Sequence, residues 1–494
     1  MRIAFLFHFV LLAQLSFCQQ AHFSWSSKAK ACLNSIYNME LDQAKAQIGA
    51  IKSQDPNNLV YHLLANYVDF LYLSIQEDRA YLDHNLPLKN ERIEALDALP
   101  DSNPYKAYAQ AEIMVQWAMV RFRFEEYFQP LLDLNKALKK LKKIDEEFPY
   151  FMPAKKTLGA LYVGIGSIPP TYQSIIGVIS AFEGDIDLGF DLVQTAYQHG
   201  LNRTDYLFHR ETGIILAYLT LYIKKDREQA WKLAQELKLD TQESPLARFV
   251  VGNLALRSMH NDAAIDILRA PIDMTGKLDI AFLDFMLGEA YLFRLDPKAS
   301  SYFERYMESF EGQNFIKEAL QKTAWSYLVQ GDQANYQKTM QRIVNEGESY
   351  SAADKSALLQ AKKAKQENVS LLKARLLCDG GYFQRADEIL QSDIPDAQLL
   401  VEEDQLEYYY RKGRIAHLSK KLSNASIWYL KTIDLGAKSE RYFACRAALE
   451  LGYLYEEKKE PILAEKYFRL CLDIHPSEFK LSLHSAAKAG LRRI

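Results

Sequence analysis

Leu451-Gly452-Tyr453-Leu454-Tyr455, followed by Ala464, Tyr467-Phe468, Cys471 and Pro476, spells one helical hairpin in side-chain volumes. Gly452 is small where a first helix presses on a second, and Tyr455 lies about one turn further along the same face. Ala464 admits the returning helix closely, and Phe468 and Cys471 continue its apolar stripe. Pro476 cannot continue a helix and ends the unit. The stretch from Phe479 to Ile494 then reads as a polar, Ala-rich capping helix.

The spacing recurs upstream. Gly413, Ala416, Ala425 and Tyr429 stand thirty-nine residues earlier, and Ala374, Leu377, Gly381, Ala386 and Leu390 another thirty-nine before those. Leu287-Gly288, Tyr291, Ala299 and Phe303 fit with one residue fewer in the turn, while Gly252, Ala255, Ala264 and Leu268 fit without adjustment. Second helices alone are legible at Ala230, Ala234 and Leu237, at Gly189, Val193 and Ala196, at Ala137, Leu141 and Ile144, and at Ala44, Ile48 and Ile51. Around Ala324-Trp325 and Tyr327 only a first helix is legible, so the register between Ile316 and Gln366 stays open. These residues resemble the tetratricopeptide (TPR) repeat family, exported bacterial type. The resemblance implies an all-α fold: a TPR-like α-solenoid of antiparallel hairpins wound into a right-handed superhelix, with roughly ten to thirteen hairpins of about 34 to 40 residues. Each unit is expected to pack only on its neighbours. An irregular helical region is expected over 19–200, and an array over 201–494 that ends in the capping helix 479–494.

Composition agrees with helices packed by rings. The 494 residues include 30 Tyr and 25 Phe against 21 Gly and 15 Pro, which favours large knobs over strands and turns. The net charge of −3 offers no basic excess for a polyanion, and the run Lys139 to Lys143 is followed at once by Asp145, Glu146 and Glu147. Nucleic acid is therefore not an expected partner.

Met1 to Cys18 carries one positive charge, an apolar run from Ile3 to Leu12 broken by His8, and small residues before a cut at Gln19, which reads as a secretory signal peptide. The mature chain is expected in the periplasm, associated with the outer membrane, or secreted. Leu15-Ser16-Phe17-Cys18 resembles a bacterial lipoprotein box, with Phe17 where that pattern uses Gly or Ala. Simple export and lipidation of Cys18 both stay open. Cys32, Cys378, Cys445 and Cys471 show no paired spacing, so no disulfide framework is read and buried thiols are expected.

Twenty-six residues, Thr157 to Phe182, carry no charge. That length would span a bilayer, but Pro169-Pro170 divides it into two pieces too short to cross alone. Two buried helices meeting at a corner is one reading. An apolar contact surface at Ile168, Pro169, Pro170, Ile175 and Ile179, touching a membrane peripherally, is the other. Gly166-Ser167-Ile168-Pro169-Pro170, with Gly184-Asp185 and Gly189, resembles a segment of the TPR family of mitochondrial outer-membrane and inclusion-body clearance proteins, a likeness of about thirty residues that implies no catalytic residue.

No short catalytic or metal motif is legible, and no two histidines stand three or four residues apart on one helix face. No cofactor, metal or catalysis is expected. In the family that the hairpins resemble, first helices line the concave face. That places Asn368, Leu371, Arg375 and Cys378, then Glu407, Tyr410, Arg414 and His417, then Arg446, Leu449, Tyr453 and Glu456 along a groove. Arg375, Tyr410, Arg414, His417, Arg446 and Tyr453 are the partner-binding candidates, with guanidinium forks and an aromatic platform suited to a carboxylate-bearing or extended peptide. The expected function is a non-catalytic exported scaffold for a protein or peptide. The alternatives are a membrane- or lipid-contacting envelope lipoprotein, and a peptide or glycan capture component of a nutrient uptake system.

Overall fold

A computed structural model describes residues 20–168, 184–203, 205–363 and 365–494. It is all-α: 74% helical, with 24 helices and no strand among the described residues, arranged as a TPR-like α-solenoid. The expected contact residues Pro169, Pro170, Ile175 and Ile179 lie outside the described residues, as does Cys18.

Four of the hairpins share one volume match. Gly413 faces the ring of Tyr429, and a Cβ there would come within 2.6 Å of it; Gly288 meets Phe303 at 2.9 Å and Gly252 meets Leu268 at 2.8 Å. A methyl on Gly452 would overlap the Phe468 ring. A side chain of almost no volume on the first helix thus seats a large one some sixteen residues later, which brings the two axes together. The turns are also repeated. Met39, Glu125, Met259, Leu295, Gly331, Gly381, Lys420 and Lys459 all take a left-handed conformation between paired helices. The next amide reaches back five residues to a carbonyl of the first helix, as Glu460 to Tyr455 at 2.9 Å and Lys421 to Ala416 at 2.8 Å. These are Schellman turns, which satisfy carbonyls that the helix end leaves open.

The open register resolves into an insertion. Thirty-six residues separate Gly252 from Gly288 and Gly288 from Ala324, but fifty separate Ala324 from Ala374. The excess is the helix Ala352–Lys363, which follows the hairpin Ile316–Val329 and Gln333–Asn345. Asp354 of the inserted helix is fully buried and accepts from the amides of Phe315 at 2.8 Å and Glu318 at 3.0 Å, capping the helix beside it.

The uncharged run begins inside the protein. Met152–Gly166 packs on Ile186–Leu201 so closely that a Cβ on Gly189 would lie 2.6 Å from the Gly159 carbonyl oxygen. Leu158, Leu161, Val163 and Ile165 are buried, and Ile168 is half-buried. One face of Met152–Gly166 is therefore core, and the run from Pro169 onward lies outside the described residues.

The expectation that each unit touches only its neighbours needs correction. Leu278 donates its amide to Met39 O at 2.8 Å, Ser244 Oγ donates to Tyr37 O at 2.7 Å, and Asn314 Nδ2 donates to Glu77 Oε2 at 2.9 Å. The amino-terminal hairpins therefore lie against the middle of the array. Buried charge accompanies that contact. Lys156 is 1% exposed between Glu112, at 3.3 Å, and Glu211, which also accepts from Tyr37 Oη at 2.8 Å and Tyr67 Oη at 3.2 Å. Burial alone would push the Lys156 ammonium down, and the two carboxylates more than reverse this and hold it above the usual lysine range.

Two substitutions test the hairpin rule. Gly452→Ala is expected to destabilise by about 1–3 kcal/mol, although alanine is the better helix former, because its methyl meets the Phe468 ring. Lys459→Gly, at an exposed left-handed position, is expected to stabilise by about 0.5–1 kcal/mol. Thermal midpoints moving in opposite directions would bear this out, and a Gly452→Ala chain as stable as the parent would refute the volume match.

Candidate functional site

The volume match phases the inner face. One residue past each small contact position stand Asn253, Glu289, Trp325, Arg375, Arg414 and Tyr453, on successive first helices. Three of these, Glu289, Trp325 and Arg375, line a cavity of about 350 Å³ with Arg257, Glu318, Lys322, Asp379 and apolar Leu256, Met259, Leu292, Phe293 and Leu376. Four first helices and the inserted helix contribute to its wall.

Most charges around the cavity are already tied. Glu289 is 1% exposed and accepts from Arg257 Nη2 at 2.6 Å and Lys322 Nζ at 2.8 Å. Burial would raise its carboxyl, but these two cations outweigh burial and bring it down to about 2. Lys322 also reaches Glu318 at 2.7 Å. Arg414 Nη1 holds Asp379 Oδ1 at 2.7 Å.

Arg375 differs. Its carboxylate neighbours are Glu367 Oε1 at 3.9 Å and Asp379 Oδ2 at 4.0 Å, both too long for hydrogen bonds. Its guanidinium carbon sits 4.8 Å from the centroid of the Trp325 ring, so the aromatic face positions the fork while its donors stay open. Trp325 itself is 6% exposed, and its buried Nε1 has no acceptor among the described residues. An orphaned donor and an unused fork beside one cavity are what a missing acceptor would satisfy.

The other sequence candidates fall in several places. Arg446 pairs with Glu450 at 2.7 Å, and His417 lies 3.7 Å from Glu457 with its imidazole pushed down by burial. Tyr453 stacks edge-on against Phe468 at 5.4 Å. Tyr410 is 5% exposed, packed between Tyr429 and Phe443, and so is not presented to a partner in this arrangement. Leu371, Cys378 and Leu449, expected along the groove, are each 1% exposed in the core. Their positions flank the inner row, and each first helix also packs on the first helix of the next hairpin, which covers those flanks.

Sequence reasoning missed Glu289, Trp325, Arg257 and Lys322. Stepping one residue past Gly288 and Ala324, as Arg375 stands past Ala374 and Arg414 past Gly413, would have found the first two. It also missed the opposite wall. Lys225 Nζ sits 3.6 Å from the Tyr453 ring centroid, and Arg227 stands near Arg414, Glu450 and Asp379. Lys225 keeps solvent-accessible surface of its own but is walled in with Glu450, Arg446, Arg493 and Glu456 around it, and the loss of bulk water pushes its ammonium down to about 8. The turn between His209–Tyr222 and Arg227–Glu236 thus faces the last hairpins across a channel. Among the described residues no group of three His, Cys, Asp or Glu is placed to hold a metal, and no helix is long and apolar enough to cross a membrane.

No family model matches the chain, and no curated protein matches it. Solved structures align along most of its length. Human IFIT1, as a dimer with m7Gppp-AAAA, is 14% identical over 96% of this chain and 90% of that one, with a TM-score of 0.32. The apo form of the quorum sensor NprR from B. thuringiensis is 12% identical over 90% and 97%, at 0.31. A Rap protein complexed with competence and sporulation factor is 12% identical over 83% and 96%, at 0.33. Likeness at this level does not extend to ligands or partners.

Glu289→Gln leaves the buried Lys322 and the half-buried Arg257 beside a neutral amide and is expected to cost about 3 kcal/mol near neutral pH. The folded Glu289 value lies below its ordinary 4.5, so its contribution is present above that value and is lost as pH falls toward about 2. Urea midpoints of the two chains should therefore converge on acidification to about pH 3, and a gap independent of pH would contradict the ion triad.

Proposed function

We propose that this chain is a non-catalytic scaffold that holds an extended, carboxylate-bearing segment of a protein partner in its channel. The observation that carries the reading is Arg375: a guanidinium fork without a hydrogen bond among the described residues, stacked on Trp325, at a cavity shared by four successive first helices. A partner carboxylate fits the fork bidentately, and neighbouring apolar side chains of the same segment fit against Leu256, Leu292, Phe293 and Leu376. Glu289, Glu318, Asp379 and Glu450 neutralise the cations beside them, which leaves no row of free cations for a continuous phosphate backbone and favours a single carboxylate at Arg375. They argue against acid–base chemistry as well, because Glu289 is held ionised between two cations and has no proton to give.

Export belongs to the same proposal. The segment Met1 to Cys18 supports delivery to the periplasm, the outer membrane or the medium, with Cys18 lipidated or removed. The mass of the mature amino terminus distinguishes these outcomes.

Charge reversal at the fork tests the binding reading. Arg375→Glu, alone or with Arg414→Glu, is expected to lower affinity for a partner recovered by pulldown on the parent chain by about tenfold or more, the scale of a lost charged hydrogen bond. Equal recovery and equal affinity, with the variant still folded by circular dichroism, would remove the channel as the binding site.

A further inference from the structure

The last hairpin holds two thiols against each other. Cys445 on Phe443–Glu457 and Cys471 on Pro461–Asp473 are both fully buried, and their Sγ atoms lie 3.5 Å apart. Twenty-six residues separate them in sequence, so spacing gave no warning. The thiol–thiol contact with Cys471 heads the causes that hold the Cys445 thiol below its ordinary range, with Arg446 acting in the same direction against burial. The same contact, followed by burial, pushes Cys471 up. Cys32 and Cys378 are also buried, but neither has a thiol neighbour among the described residues.

We propose that Cys445 and Cys471 are a redox-sensitive pair that closes into a disulfide joining the two helices of the final hairpin. Closure brings the sulfurs from 3.5 Å to about 2.05 Å, a side-chain movement between helices already in contact. A small disulfide such as oxidised glutathione is the oxidant. The Cys445 thiolate attacks one of its sulfurs, the oxidant's S–S bond breaks, and one glutathione leaves as thiol, taking up the proton Cys445 released. The Cys471 sulfur then attacks Cys445 in the mixed disulfide, and the second glutathione departs with the proton from Cys471. The cysteine pair gives up two electrons and two protons, and the oxidant gains both. The capping helix Lys480–Leu491 controls access, since Leu483 and Ala487 are buried over the site and Cys471 Sγ lies 3.9 Å from the Leu483 carbonyl. The closed pair would tie down the channel wall that carries Arg446, Glu450 and Tyr453, whatever the channel holds.

The test uses the full chain, reduced and then treated with oxidised glutathione, both as the native protein and during refolding. Intact mass is expected to fall by two hydrogens, and a non-reducing peptide map to show one Cys445–Cys471 linked species. That species should persist in Cys32→Ser and Cys378→Ser and vanish in Cys445→Ala and Cys471→Ala. Leu483→Ala, which loosens the cap, should speed closure, and the oxidised chain should melt at higher temperature. Both thiols still open to alkylation after both treatments would overturn the proposal. So would a stable glutathione adduct on Cys445, or linkage to Cys32 or Cys378 instead.

Discussion

A residue with little or no side chain on each first helix, facing a bulky one on the second, sets the distance and rotation of every clear hairpin. Gly252 with Leu268, Gly288 with Phe303, Gly413 with Tyr429 and Gly452 with Phe468 repeat that contact. Once the small residue is fixed against its partner helix, the next residue along turns about 100° away from it, toward the inside of the solenoid. The inner row from Asn253 to Tyr453 therefore takes its direction from the packing contact, whatever side chain stands there.

Charge then decides what the inside can do. Burying carboxylates and cations is tolerated only where each finds a partner, and the Arg257–Glu289–Lys322 triad and the Lys156–Glu112–Glu211 cluster meet that condition. Against this background of paired ions Arg375 stands out, with its carboxylate neighbours at 3.9 Å or beyond and, beside it, an indole that has no partner among the described residues. A scaffold that binds needs such unfinished bonding somewhere, and here it coincides with the cavity. Further along the inner row, Lys225 touches the Tyr453 ring and closes one side of it.

Hairpins were legible because glycine against ring is a local, one-dimensional pattern. The register failed between Ile316 and Gln366 because Ala352–Lys363 adds a helix to that unit, and an added helix breaks a period without leaving a motif. Contacts such as Leu278 with Met39 were invisible for another reason: a repeat pattern specifies neighbours and says nothing about how the amino-terminal hairpins return to the array. Tyr410 was misplaced because three- and four-residue steps sweep a broad arc, and its edge is covered by the next hairpin. Arg375 and Arg414 were found by phase alone, whereas the difference between them, one paired and one open, depends on distances that no spacing encodes.

The most direct measurement of the central claim is photo-crosslinking in cells, with the reactive group placed at Asn253 on the inner row or at Ile462, which is 83% exposed on an outer second helix. The account predicts a discrete adduct of higher mass from Asn253 and none from Ile462. An adduct from Ile462 with a silent Asn253 would place the partner on the outer surface and contradict the channel.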